Sequence, residues 1–151
     1  PVLADTLHLS GTPVVTIRVA SSKPAANLSV WLVTLPFDSS AIGSQGAVGV
    51  LTRGWADAQN YKSLKRGGNY DSKARGEPLV NGKFYDLTFD LQPGDRMVAP
   101  GKQLALMIMS SDRDFTLWPS AGTELMIDLG KTSIRLPVVG GAAALKKAVG
   151  K

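Results

Sequence analysis

Leu28-Ser29-Val30-Trp31-Leu32-Val33-Thr34-Leu35 is an apolar run rich in β-branched and aromatic side chains, closed by Pro36. Strands run about 4–8 residues and helices need about 10–12, so length and composition assign this run to a strand. Both phases of its alternation are hydrophobic, which reads as burial on both faces, or nearly so. Working outward, Val14-Val15-Thr16-Ile17-Arg18-Val19 alternates between the breakers Gly11-Thr12-Pro13 and Ser21-Ser22-Lys23-Pro24, with a weaker strand at Leu7-His8-Leu9. On the other side lie a short apolar stretch at 47–52 and the period-2 segment Phe84-Tyr85-Asp86-Leu87-Thr88-Phe89-Asp90-Leu91. The continuous run Leu104-Ala105-Leu106-Met107-Ile108-Met109 reads as a core strand. Glu124-Leu125-Met126-Ile127-Asp128-Leu129 and Thr132-Ser133-Ile134-Arg135-Leu136 flank Gly130-Lys131, a two-residue hairpin signal. About eight strands with Gly/Pro punctuation, and no sustained 3.6 period, predict an all-β jelly-roll sandwich.

The chain has 151 residues, 44% of them hydrophobic and 19% charged, enough to bury one domain core and too apolar for wholesale disorder. Residues 1–140 read as a single sandwich domain. Residues 141–151 read as a flexible or short helical tail, because Gly140-Gly141 is followed by an Ala/Leu/Lys stretch too short to hold a helix undocked. Apolar runs fall far short of the roughly 20 residues of a membrane span, so no membrane partner is expected. The opening Pro1-Val2-Leu3-Ala4-Asp5 has no initiator Met and no signal pattern, which reads as a matured protein or a domain cut from something longer. The compartment is unassigned, with a lean toward a secreted bacterial protein.

A net charge of +5 permits anionic partners. Nucleic acid is not expected, since the basic residues are interspersed with Asp57, Asp71 and Glu77. The polar connection from 55 to 82 holds Trp55, Tyr61 and Tyr70 beside Lys62, Lys65, Arg66, Lys73 and Arg75. Such a long irregular loop is either a binding element, with aromatics stacking on a sugar, or a surface segment packing against the sandwich or a neighbouring domain. Trp118 joins Trp55, Tyr61 and Tyr70 as a candidate ligand or domain contact.

Catalytic chemistry is not visible. The absence of cysteine and the single histidine, His8, exclude thiolate chemistry and any site needing two imidazoles. No Gly-x-Ser-x-Gly occurs. Gly130-Lys131-Thr132 joins two expected strands and so does not open a helix as a phosphate loop must. Asp112-Arg113-Asp114 reads as a turn after the 104–109 strand in preference to a metal set, and His8 as an exposed or half-buried strand residue. Asn27-Leu28-Ser29 is a glycosylation sequon by its letters. Trp31 reads as core, and Met97, Met107, Met109 and Met126 as gap-fillers. No catalytic residue, metal or cofactor is assigned.

Leu51-Thr52-Arg53-Gly54-Trp55-Ala56-Asp57-Ala58-Gln59-Asn60 resembles a stretch of the C-terminal domain of bacterial Xaa-Pro dipeptidyl-peptidases, a domain also found in cocaine-esterase-like hydrolases. Pro93-Gly94-Asp95 and Pro100-Gly101-Lys102-Gln103-Leu104-Ala105-Leu106 are similar to that family's entry into a core strand, and Ser110-Ser111-Asp112 follows where it carries Ser-Ser-Asp. Leu9-Ser10-Gly11-Thr12-Pro13 fits its opening strand. The segments from Asp114-Phe115-Thr116-Leu117 to Leu136-Pro137-Val138 resemble the dipeptidyl-peptidase branch more than the esterase branch. The resemblance implies a galactose-binding-like jelly roll that packs on an α/β-hydrolase domain carrying the Ser, Asp and His of a serine peptidase that removes Xaa-Pro dipeptides. None of that triad maps onto this chain. The implied role is non-catalytic: shaping the cleft, supporting a homo-oligomer, or binding an extended ligand. An independent carbohydrate-binding module is the alternative.

Overall fold

The computed structural model describes residues 1–37, 49–67, 75–112 and 115–151. It is the expected all-β sandwich. Among the described residues nine strands are formed: β1 Leu7–Gly11, β2 Val14–Ser21, β3 Asn27–Leu35, β4 Val50–Asp57, β5 Phe84–Asp90, β6 Gly94–Val98, β7 Gln103–Met109, β8 Leu125–Ile127 and β9 Ser133–Arg135. A helix, α1 Gly141–Ala148, ends the chain.

One sheet has the order β4–β3–β7, and the other has β5 on one side of β2 with β8 and β9 on its other side, all antiparallel. The strand alternation sends Val15, Ile17, Val19, Tyr85, Leu87 and Phe89 inward from the second sheet to meet Leu28, Val30 and Leu32 of β3, forming one cluster. Burying each such side chain contributes about 1.5–3 kcal/mol. As its two apolar phases require, β3 is buried along both faces between its half-buried ends. A small ribbon, β1–β6, closes one end, and β1 is bonded on its free side to 137–139 through Ser10 N to Pro137 O and Val139 N to His8 O.

Gly54 sits where β4 crosses the end of β5. A Cβ there would lie 2.6 Å from Leu91 Cδ2 and 2.9 Å from the Asp90 carbonyl, so only glycine permits the approach.

Several sequence expectations are corrected. Gly130-Lys131 is not a hairpin. β8 and β9 do not pair with each other; both run antiparallel to β2 as two segments of one interrupted edge. Between them a 3-10 turn, Leu129–Lys131, is capped by the Asp128 carboxylate accepting from Gly130 N, and Asp128 N still donates to Arg18 O. The 104–109 run is half-buried where it was expected in the core, because among the named strands β7 pairs with β3 alone, with a single bridge from Gln103 to Val2. β6 has no counterpart among the expected strands. Trp55 stands on β4 and not in a loop, since the strand expected at 47–52 begins at Val50 and continues to Asp57.

The connection after β4 packs on the sandwich: Leu64 and Leu79 are buried in the core, and Leu79 N donates to Pro24 O. The C-terminal segment is helical and docked. Ala148 is 1% exposed, and its carbonyl accepts from Ala4 N at 2.7 Å. Among the described residues no helix is long and apolar enough to cross a membrane.

Candidate functional site

The pleat that turns Leu28, Val30 and Leu32 into the core turns Ser29, Trp31 and Val33 to the opposite, outer face of the β4–β3–β7 sheet. Register then decides their neighbours. Trp55 and Met109 lie on either side of Ser29, and Arg53 and Met107 on either side of Trp31. An outer sheet face would ordinarily be polar, yet this one carries two tryptophans and two methionines. Ser29 and Trp31 are almost fully buried in it.

What buries them is the segment that follows β7. Asp112 is 7% exposed, and its Oδ2 accepts from Trp31 Nε1 at 2.9 Å, Ser29 Oγ at 3.1 Å and Trp55 Nε1 at 3.2 Å. Neutral donors converging on one carboxylate oxygen offset the cost of taking it out of water. The same residue anchors a turn through its backbone. Phe115 N and Thr116 N both donate to Asp112 O at 2.9 Å, and Asp112 N donates to Thr116 Oγ1 at 3.0 Å. The turn lays Phe115 against Trp55, with ring centroids 5.4 Å apart. The Arg53 guanidinium lies 4.2 Å over the Trp31 ring and 5.1 Å over that of Phe115, a cation–π arrangement on both.

Beyond the turn the chain presents apolar side chains to solvent: Phe115 is 56%, Leu117 86% and Trp118 64% exposed. Asn27 Nδ2 donates to the Leu117 carbonyl at 2.6 Å and holds this strip against the start of β3. An open cleft of about 310 Å³ lies beside it, lined by Asn27, Trp55, Asp57, Asn60, Thr116 and Leu117. Its size is at the small end for a ligand site, and its wide mouth gives a small molecule little enclosure.

Of the four contacts expected from sequence, Trp55 and Trp118 belong to this region. Tyr61 turns onto Tyr85, with ring centroids 4.6 Å apart. Its hydroxyl donates to Glu77 Oε2, and desolvation, with Glu77 beside it, pushes its pKa up. The Lys62 ammonium lies 2.6 Å from Glu77 Oε1, holding that carboxyl below its usual range while Glu77 raises Lys62. Tyr70 lies outside the described residues, as do Lys73, Asp71, Arg113 and Asp114.

His8 is half-buried on β1 with Nε2 2.5 Å from Asp95 Oδ1 of β6. In the sequon Ser29 is buried, and Asn27 Nδ2 donates to the Leu117 carbonyl. Among the described residues no group of three or more acidic or histidine side chains could hold a metal. Asp112 lies in the turn expected after the 104–109 strand, and the structure adds that its buried side chain is the hub of the outer face. Its available signal was the two tryptophans, whose indole N–H groups need acceptors when buried.

A family model described as "X-Pro dipeptidyl-peptidase C-terminal non-catalytic domain" matches residues 1–148. A protein of Rhodopirellula baltica named "Putative Xaa-Pro dipeptidyl-peptidase" is 51% identical over 146 residues, covering 97% of this chain and 22% of the relative. A namesake from Streptomyces avermitilis is 34% identical, covering 97% of this chain and 25% of its own length. The chain thus spans about a quarter or less of these curated relatives. Among solved structures, an alpha-amino acid ester hydrolase superposes with a TM-score of 0.65 at 16% identity, over 92% of this chain and 24% of the hydrolase. A CocE/NonD family hydrolase from Staphylococcus aureus gives 0.63 at 12% identity, over 92% and 29%. At these identities the structural likeness shows the fold.

Proposed function

Because the chain belongs to the X-Pro dipeptidyl-peptidase C-terminal non-catalytic domain family, we propose that it serves as the accessory domain of a longer serine peptidase acting on Xaa-Pro N-termini. In this reading it packs on the α/β-hydrolase domain through the outer face of the β4–β3–β7 sheet and helps to shape the cleft. One observation carries it: the exposed strip Phe115, Leu117 and Trp118, set on an aromatic and methionine-rich face. Contiguous apolar surface of this kind on a soluble domain marks a contact site. The test is hydrolysis of a glycyl-prolyl chromogenic substrate by the chain alone. Turnover equal to the blank is expected, and activity that tracks the purified chain would overturn the non-catalytic reading.

A carbohydrate module has less to work with. Trp55 is engaged with Asp112 and Phe115, and Tyr61 with Tyr85, so neither offers an open stacking platform. Tryptophan fluorescence titrated with a panel of oligosaccharides is expected to stay flat. Saturable quenching would favour the module.

A further inference from the structure

Among the described residues Asp112 is the only charged side chain that is buried. Its side chain binds the sheet through Ser29, Trp31 and Trp55, while its backbone binds the turn that leads to the exposed strip. The two sets of bonds share one residue, so the start of the strip is fixed to the sheet there, while Asn27 fixes it further on at Leu117. Thr116 closes the turn from the other side, its Oγ1 also donating to Asp112 O at 3.1 Å.

We propose that Asp112 is the positioning residue of a docking surface. It holds Phe115, Leu117 and Trp118 in the arrangement that an apolar groove on the catalytic domain of the same polypeptide receives. The proposal rests on the accessory-domain reading above. The occupant follows from the relatives, in which about three quarters of the chain lies outside the matched part. It follows also from the contrast with the other outer sheet face, where Thr16 bonds Thr88 and Arg18 bonds Asp86 and faces Asp128. That face pairs polar side chains with one another and exposes Met126 at one end, while the aromatic one surrounds a buried carboxylate and an exposed strip. Among the described residues the donors on Asp112 Oδ2 are neutral, so what they require is an acceptor oxygen of the right reach, which an asparagine also supplies.

The experiment is amide hydrogen exchange on the full-length polypeptide that carries this domain, beside the 151-residue chain alone. Residues 115–118 are expected to exchange more slowly in the full-length protein, because docking covers them. There, Asp112→Leu should speed exchange at 115–118 about 10-fold or more beyond any change it causes at Leu87 and Phe89 of β5, the pattern of a local opening added to the global one. Asp112→Asn should stay within about 3-fold of wild type, since it keeps the acceptor. Should Asp112→Leu unfold the domain, Thr116→Val breaks the same turn from the loop side and should expose the same residues.

Equal exchange at 115–118 in the long and short proteins would overturn the docking reading, and the positioning role with it. Protection in the long protein that neither Asp112→Leu nor Thr116→Val disturbs would overturn the positioning role alone. Loss of protection in Asp112→Asn would show that charge, not the acceptor, is what matters, and would overturn the mechanism proposed.

Discussion

The two sheets of the sandwich share one core and differ in what they show the outside. On the outer face of the β5–β2–β8/β9 sheet, polar cross-strand neighbours satisfy one another: Thr16 Oγ1 and Thr88 Oγ1 are 3.0 Å apart, and Arg18 reaches Asp86 at 3.1 Å and Asp128 at 3.5 Å. On the outer face of the β4–β3–β7 sheet, tryptophans and methionines surround a buried carboxylate, and an apolar strip stands in solvent next to it. The inner faces explain why the domain folds; the difference between the outer faces is what the docking proposal rests on. A side finished with exposed ion pairs has little to gain from a partner, since such pairs are worth about 0–1 kcal/mol each.

That asymmetry is open to attack by substitution. The largest effect is expected from Trp31→Ala, which empties a site that is 2% exposed and should cost about 3–5 kcal/mol in chemical denaturation. The matched change on the other face, Thr16→Ala, should cost less than about 1 kcal/mol. Similar losses from both would dissolve the distinction. Next comes Asp112→Leu, which leaves the buried Ser29 hydroxyl without its acceptor and Trp31 with only its longer bond to Ser29 Oγ, and should cost about 3 kcal/mol. Asp86→Ala, removing an exposed partner of Arg18, should stay within about 0.5 kcal/mol.

The smallest effect is expected away from both faces, where α1 meets the N-terminus. The Lys147 ammonium beside Asp5, with Thr6 N–H also donating, holds the Asp5 carboxyl below its usual range. A lowered folded-state pKa contributes stability above the ordinary carboxylate range and loses it as pH falls through the folded value. Acid titration below about pH 4 should therefore loosen α1 slightly, read as faster exchange at residues 148–151. Asp5→Asn should abolish that pH dependence, and a variant that still showed it would assign the effect elsewhere.

Much of the fold was legible from local pattern. β2, β3 and β5 could be read directly because their alternation, or its absence, reports burial. β6 could not: Gly94, Asp95 and Arg96 give it no apolar phase, and Val98 alone is buried. Gly130-Lys131 misled because glycine beside a polar residue fits a 3-10 turn as well as a hairpin, and only the pairing of both flanks with β2 decides. The family was legible from the order of its short motifs. The centre of the candidate site was not, since Asp112 stands 83 residues from Ser29 and 81 from Trp31. No window on the sequence holds an acceptor and its donors together at that separation. Of the aromatics singled out, Trp55 and Trp118 lie beside the candidate site, Trp55 through the register of β3 against β4 and Trp118 through the turn that follows Asp112.

The corner where Ala4 and Asp5 bond the last turn of α1 brings residues 4–5 and 148–150 side by side, and a Cβ at Gly150 would lie 3.6 Å from Ala4 Cβ. A module closed on itself in this way can be spliced into another chain as a cassette without stretching its sheets. It can equally be sewn end to end by a short linker and reopened at an exposed site such as Gly82, giving a circular permutant with the same sandwich and a different order of strands along the gene.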